Sequence, residues 1–394
     1  MLRYDPLKSW EENLHRSPDE KDIVEAAQPV PEFPGDWHWC GLPVNSPLGV
    51  PAGPLLNGNW LRYYATLGFD ILVYKTVRSA ARACYPLPNL VPVNVDTTKP
   101  LPAEVPGMDS MAGTWAVSFG MPCVSPDEWR RDIERTVPLL PQGKILVVSV
   151  VGSAPPITDR ACDMEQSLEQ LAEDYAQCAH WAVESGAHGV EANFSCPNVA
   201  TADGQLYQDS NASRLVSQRI RDAIGDRPLV LKIGHVTSRE HARELIRAVG
   251  PIVDGLAMTN TITARVTSDR GDLLFGGQLR GISGEGIRHQ SIEQIARFRS
   301  VLTEETATVP SRPNNRSGRG QGGEDSERPV TPTRAGASPL WRLTDLIGVG
   351  GIVTAEHVCQ YLRAGASSVA IATAAMIDPR IAIQIREQAG APND

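Results

Sequence analysis

GVPAGPLLNG, residues 49–58, opens the regular part of the chain, and its reading separates two folds. From residue 45 onward, apolar runs of strand length alternate with segments of helical periodicity, the pattern of a parallel α/β protein. The runs are GVPAG (49–53), DILVYKTV (70–77), KILVVSVVG (144–152), HGVEANFS (188–195), PLVLKIG (228–234), DGLAMTNT (254–261), DLIGVGGI (345–352) and SSVAIATAA (367–375). Eight strands, each apolar enough to be buried on both faces, predict an α/β fold closed as a (β/α)8 TIM barrel. An open doubly wound sheet is the alternative, but it usually carries GxGxxG in its first βα turn. GVPAGPLLNG lacks that motif, so the barrel is preferred.

Helices are predicted over 125–136, 167–185, 211–224, 238–249, 288–303, 355–364 and 379–389. The first opens with Ser-Pro-Asp-Glu, a capping box with Pro at the first helical position. Gly186, Gly250 and Gly365 follow three helices where a terminal turn favours positive φ. Two stretches exceed a minimal barrel. Residues 78–124 hold seven prolines and no good helix, and predict a β-rich excursion over the C-terminal mouth. Residues 304–339 are low-complexity, with almost no large apolar groups, and predict a disordered insertion. Acids there are about as numerous as Arg and aromatics are absent, which disfavours a nucleic-acid tail. The expected organisation is a polar N-terminal extension (1–44), a barrel (45–303 and 340–394) and the insertion (304–339).

Composition narrows the function. The chain has 394 residues, 41% hydrophobic, and 46 acids against 37 bases give a net charge of −9. Phosphate neutralisation needs concentrated Lys and Arg, so a nucleic-acid surface is disfavoured. No apolar run approaches the roughly 20 residues that span a bilayer, and the N-terminus carries no secretory h-region. Seven cysteines without a CxxC pair argue against a disulfide framework or a zinc site. A cytoplasmic protein without a metal or a membrane partner is expected.

Reactive groups in a barrel project from strand ends. The fourth strand ends in Asn193-Phe194-Ser195-Cys196-Pro197-Asn198, two amides flanking a thiol, suited to a planar heterocycle. An ordinary turn around a buried cysteine would use the same residue types. Lys75 and Lys232 end two further strands. A buried barrel Lys is costly unless it meets an anion or ligand, and two on different strands favour a functional reading. Thr259-Asn260-Thr261 ends the sixth strand. Gly348-Val349-Gly350-Gly351 on the seventh and Ala372-Thr373 on the eighth suit a phosphate, although GxGG alone is usually just a tight turn.

NFSCPN, IGVGGI, MTNT, NSPLGVPAG and the two strand-end lysines together resemble the FMN-dependent dihydroorotate dehydrogenases, from about Asn45 to about Met376 without the insertion. The resemblance implies a bound FMN, Cys196 as catalytic base, and Asn193, Asn198 and Asn260 as pyrimidine contacts. It also implies that Lys75, Thr76, Lys232, Ala52 and Gly53 lie near the flavin, and that Gly284, Gly350, Gly351, Ala372 and Thr373 lie near its phosphate. Lys75 is the first candidate for stabilising developing negative charge. The family usually carries NSxGLPN in the excursion, where this chain reads Val117-Ser118-Phe119-Gly120-Met121-Pro122-Cys123. Both asparagines are replaced, leaving Gly120 to offer its backbone N–H to a carboxylate. A Cys base resembles the soluble branch. The membrane quinone branch uses Ser and has an apolar N-terminal extension, whereas residues 1–40 here are acidic and proline-punctuated.

The resemblance implies oxidation of dihydroorotate to orotate, with a pyrimidine as the small-molecule substrate. It is compatible with a homodimer and with a separate electron-transfer subunit. Fumarate, a quinone or NAD through an iron–sulfur partner could accept the electrons. The alternatives are a flavin-barrel oxidoreductase for another dihydropyrimidine, a Schiff-base lyase using Lys75 or Lys232, and a non-catalytic barrel.

Overall fold

The computed structural model describes residues 1–111, 113–153, 163–195, 205–307 and 341–390. All eight expected runs form strands: Leu48–Val50, Ile71–Val77, Ile145–Val150, Gly189–Asn193, Leu229–Lys232, Gly255–Met258, Asp345–Val349 and Ser368–Ala370. They pair in parallel in sequence order, and the ring closes where Val369 and Ala370 lie opposite Leu48 and Gly49. Apart from Asp345, every residue of these strands is buried, which is why they read as continuous apolar runs without alternation. Ile71, Val73, Ile145, Val147, Val230, Ala257, Ile347 and Ala370 fill the barrel interior. Leu72, Tyr74, Leu146, Val148 and Leu231 belong to the outer core under the helices.

The predicted helices are present, beginning with Pro126–Thr136, where the Glu128 carboxylate accepts hydrogen bonds from Ser125 N and Oγ at 2.9 and 2.7 Å. One helical end departs from expectation. Gly186 and Gly365 have φ of 102° and 105°, whereas Gly250 stays right-handed at −56°. Glycine is needed there for space, since a Cβ at 250 would lie 2.5 Å from the Trp341 ring.

One helix crosses an expected domain boundary. Helix Arg288–Ala307 runs four residues into the stretch assigned to the insertion. Helix Arg239–Val249 presents Arg239, Arg243 and Arg247 at helical spacing, and they pair with Glu304 and Glu305. Those pairs hold the last turn in register. The remainder, 308–339, lies outside the described residues.

The N-terminal extension is also more than polar. Helices Trp10–His15 and Glu20–Ala26 each start with a reciprocal capping box, Ser9 with Glu12 and Asp19 with Asp22. Tyr4, Trp10, Ile23 and Phe33 are buried in the main core. A hairpin, Trp37–Trp39 with Leu42–Val44, turns on Cys40 and Gly41, both at positive φ. It inserts Trp39, Cys40 and Val44 into the N-terminal end of the barrel, where Cys40 N donates to Asp345 Oδ2 at 2.6 Å.

The β-rich excursion contributes Leu90–Pro92, Glu104–Pro106 and Thr114–Val117. These join Ile262–Thr267 and Arg280–Gly284, from a second excursion after the sixth barrel strand, in one five-stranded sheet. Helix Gly58–Thr66, capped by Asn57, follows the first strand. Neither the second excursion nor this helix was anticipated.

Candidate active site

Strand periodicity sends Ile71, Val73 and Lys75 inward, and a register irregularity between Tyr74 and Val77 lets Thr76 face Ser149, their hydroxyls 3.0 Å apart. Lys75 is 8% exposed and has no carboxylate or hydrogen-bond partner for Nζ among the described residues. Its ammonium lies 5.6 Å from the centre of the Trp10 ring, a cation–π contact. Burial lowers its pKa to about 8; Arg78 and Lys232 push the same way, while Cys84 and Cys123 oppose. Burial pushes the Cys123 thiol up, against the pull of Lys75 and Arg78.

Lys232 occupies the equivalent end of the fifth strand. Its Nζ stands 3.9 Å from Glu191 Oε1 and donates to Ala52 O at 3.5 Å. Glu191 is 4% exposed, and its Oε1 has no hydrogen-bond partner among the described residues. Sequence reasoning missed this carboxylate, although it sits two residues before Asn193, the spacing that puts both on one strand face. Gly53, beside Ala52, has φ of 143°, and a Cβ there would meet nothing within 4 Å.

A polar chain connects three separated segments. Asn260 Nδ2 donates to Ser195 Oγ at 2.7 Å, and Ser195 Oγ donates to Asn193 Oδ1 at 2.9 Å. Asn193 Nδ2 reaches Met121 Sδ at 3.4 Å. Tyr175 OH fixes the strand end by donating to Asn193 O at 2.7 Å. The expected asparagines of the fourth and sixth strands thus meet, joined by a serine that had been quoted without a role. Cys196 and Asn198 lie outside the described residues.

Across from this chain, Arg78 donates from Nε to Met121 O at 3.3 Å and from Nη1 to Ser153 Oγ at 2.9 Å. It is 5% exposed, and it too was missed. Gly120 has φ of 71° and lies under Tyr85, whose ring would be 2.5 Å from a Cβ.

A cavity of about 280 Å³ opens at the ends of the seventh and eighth strands. Asn260, Gly284, Gly350, Gly351, Ala372 and Thr373 all line it, so six expected residues converge there. Gly284, Gly350 and Gly351 have φ of 93°, 134° and 64°. Tyr361 OH donates to Gly350 O and Ser291 Oγ to Val349 O, both at 2.7 Å, which anchors the turn from behind. Thr373 Oγ1 and Ser283 Oγ meet at 3.1 Å on the opposite wall. Small residues and close backbone at this end of a barrel suit a phosphate ester. Ala52, Gly53, Lys75, Thr76 and Lys232 are not in its lining; they lie at the ends of the first, second and fifth strands.

A closed parallel barrel with such a cavity after strands seven and eight, and lysines buried at its mouth, defines a cofactor-using barrel enzyme. The family model described as dihydroorotate dehydrogenase matches residues 37–309. With more than half its length matched, the chain belongs to the dihydroorotate dehydrogenase family. It is 27% identical over 404 aligned residues to a protein named dihydroorotate dehydrogenase from Dictyostelium discoideum, covering 97% of this chain and 95% of that one. It is also similar to proteins named dihydroorotate dehydrogenase B (NAD(+)), catalytic subunit. Identity is 25% to those of Exiguobacterium sibiricum and Bacillus pumilus, over 49% and 55% of this chain and 49% and 57% of theirs. The match to these two spans about half their length. Among the described residues, no helix is long and apolar enough to cross a membrane.

Proposed function

We propose that this protein oxidises dihydroorotate to orotate, as a flavoenzyme of pyrimidine biosynthesis, with FMN as its cofactor. The observation that carries the reading is the convergence at one barrel mouth of the glycine-bordered cavity, two buried lysines and the Asn193–Ser195–Asn260 chain. Family membership supports the reaction, and the relatives' names supply the substrate. The cavity fits the phosphate end of FMN: Gly284, Gly350, Gly351, Ala372 and Thr373 would hold it through backbone groups and the Thr hydroxyl. Ala52, Gly53, Thr76 and Lys232 would border the ring system, with the open side of Gly53 admitting it. Bound FMN supplies the hydride acceptor.

The protein's own residues do the rest. Cys196, as a thiolate, removes the proton from the ring carbon beside the substrate carbonyl; a thiol suits this because its ordinary pKa of about 8.5 is readily lowered by nearby cations. Asn193, Asn260 and Asn198 hold the ring by hydrogen bonds, and Lys75 stabilises the negative charge that develops. Gly120 offers a backbone N–H to the substrate carboxylate. A separate electron-transfer subunit, as opposed to fumarate or a quinone, is one route for reoxidation.

The test is direct. Purified protein should be yellow, release FMN on denaturation, and be bleached by dihydroorotate in a stopped-flow cell. Colourless protein that FMN cannot reconstitute would refute the cofactor assignment. A flavin bleached by another dihydropyrimidine and not by dihydroorotate would favour the second reading, which Val117 and Cys123 in place of the family asparagines support.

A further inference from the structure

Four carboxylates are buried among the described residues: Asp70, Glu191, Asp254 and Glu305. Burying a charge is costly unless ion pairs and hydrogen bonds replace the lost water. Three of the four meet that condition. Asp70 accepts from Lys144 Nζ at 2.6 Å and from Arg386 Nη2 and Ser46 Oγ at 2.5 Å. Asp254 accepts from Arg221 Nη2 at 2.7 Å and Leu229 N at 2.9 Å, with Arg342 at 3.4 Å. Glu305 lies between Arg247 at 2.7 Å and Arg243 at 3.2 Å. Glu191 differs. It has one cation, Lys232 at 3.9 Å, and its buried Oε1 lacks a hydrogen-bond donor among the described residues. A charge retained only to fasten the fold would look like the other three.

Its position in the barrel suggests another use. In strand register Glu191 stands opposite Ser149 and Val230, while Lys232 stands opposite Asn193 two residues further toward the mouth. The carboxylate therefore occupies the layer directly beneath the strand ends that border the proposed flavin ring. Ser149 in that layer meets Thr76 at 3.0 Å, and Lys232 reaches Ala52 O at 3.5 Å. An ammonium has three N–H donors, and both contacts of Lys232 are longer than an ordinary N–H···O bond. Lys232 also helps to lower the pKa of Lys75, so the two ammoniums sense each other. Glu191 is the one buried carboxylate within a barrel strand among the described residues, and it stands against one member of this like-charged pair.

A hydride carries two electrons and one proton, so a flavin that accepts one gains a negative charge. A cation at the ring holds the reduced form more tightly, and a carboxylate behind that cation offsets the gain. We propose that Glu191 is a positioning residue that sets the reduction potential of the bound flavin through Lys232. It holds the ammonium beneath the ring and cancels part of its charge, so the reduced flavin passes its electrons on more readily. Glu191 itself exchanges no proton and forms no bond in the reaction. The proposal rests on the assignment of FMN to this barrel and is independent of the substrate.

The experiment compares FMN-loaded wild type with Glu191→Gln, which keeps the shape of the side chain and removes its charge. Both are reduced with dithionite against a dye of known potential, so no substrate is needed. Affinity for oxidised FMN should stay close to that of wild type, and affinity for reduced FMN should rise about tenfold or more. For a two-electron couple that is a midpoint potential raised by about 30 mV or more. A carboxylate that only supports the fold would lower the melting temperature and leave the potential where it was. An unchanged or lower potential in the yellow variant overturns the proposal while the FMN assignment stands. Wild type that binds no FMN overturns both. If Glu191→Gln does not fold, wild type labelled with carboxyl-13C glutamate answers the same question. Glu191 and Glu305 are the two buried glutamates among the described residues, and Glu305 lies on an outer helix. A carboxylate signal protected from a soluble paramagnetic agent must move when the bound FMN is reduced, and none moving overturns the proposal.

Discussion

Gly351→Ala tests the cavity at the ends of the seventh and eighth strands most sharply. Gly351 has φ of 64°, and a Cβ there would stand 2.8 Å from the Cα of Glu285 and 3.0 Å from Gly284 O. Carbon atoms in ordinary contact are roughly 3.5–4.0 Å apart, so the 350–351 turn and the 284–285 turn must part by about 0.7 Å. Left-handed backbone costs an L residue roughly 1–2 kcal/mol. Overpacking adds about 1–3 kcal/mol. The conformational part burdens the protein with and without its cofactor. The steric part pushes apart two walls of the cavity and weakens FMN binding by roughly ten- to a hundredfold. Gly276→Ala separates the two contributions, because Gly276 has φ of 63° and a Cβ there would meet nothing within 4 Å. It should lose stability alone and keep wild-type FMN affinity. Fluorescence titration of each apoprotein with FMN reads the difference. A Gly351→Ala protein that binds FMN as tightly as wild type would refute the assignment of this cavity to the cofactor.

Three further outcomes are expected. Cys196→Ala should keep its flavin and lose dihydroorotate oxidation by at least about a hundredfold, the contribution of a positioned base; near-normal turnover would exclude Cys196 from that role. Lys75 has a pKa lowered to about 8, so its charge is lost as pH rises through that value. Orotate affinity should therefore decline above pH 8 and be level below it, and Lys75→Met should abolish that slope in a pH series of binding titrations. Deleting 308–339 should leave soluble yellow protein with an unchanged melting temperature. Extending the deletion back to 304 should lower that temperature, because Glu304 and Glu305 pair with Arg239, Arg243 and Arg247.

The barrel was legible because its strands are buried on both sides, which writes them as uninterrupted apolar runs separated by helical patterns. The residues lining the cavity were legible for a related reason, since small residues recur at the ends of successive strands there. Other parts were hidden by length or by context. Three-residue strands such as Trp37–Trp39 are too short for any periodicity to register. The second excursion did carry alternation, with Ala264 and Val266 buried against exposed Thr263 and Arg265, but it followed a strand where a helix was expected. The capping motif Ser9-Trp10-Glu11-Glu12 signalled a helix inside a segment whose acidity suggested only solvent. Glu191 and Arg78 were passed over because charge on a strand reads as exposure, and only closure of the barrel shows which charges point inward. Gly250 shows the limit of a local rule: its small size serves Trp341, a residue 91 positions away in sequence.

Closure of the ring between Ser368–Ala370 and Leu48–Val50 sets the order in which this protein becomes competent during synthesis. A nascent chain that has emerged only through residue 344 has six barrel strands and two bare parallel edges, at Gly255–Met258 and at Leu48–Val50. Unpaired edges of that kind invite association with other chains. The same truncated chain carries Gly284 but not Gly350, Gly351, Ala372 or Thr373, so the cavity has only one wall. The cavity is thus completed only when the last two strands have joined the ring, and the interval spent translating 308–339 lengthens the time for which the two edges stay open.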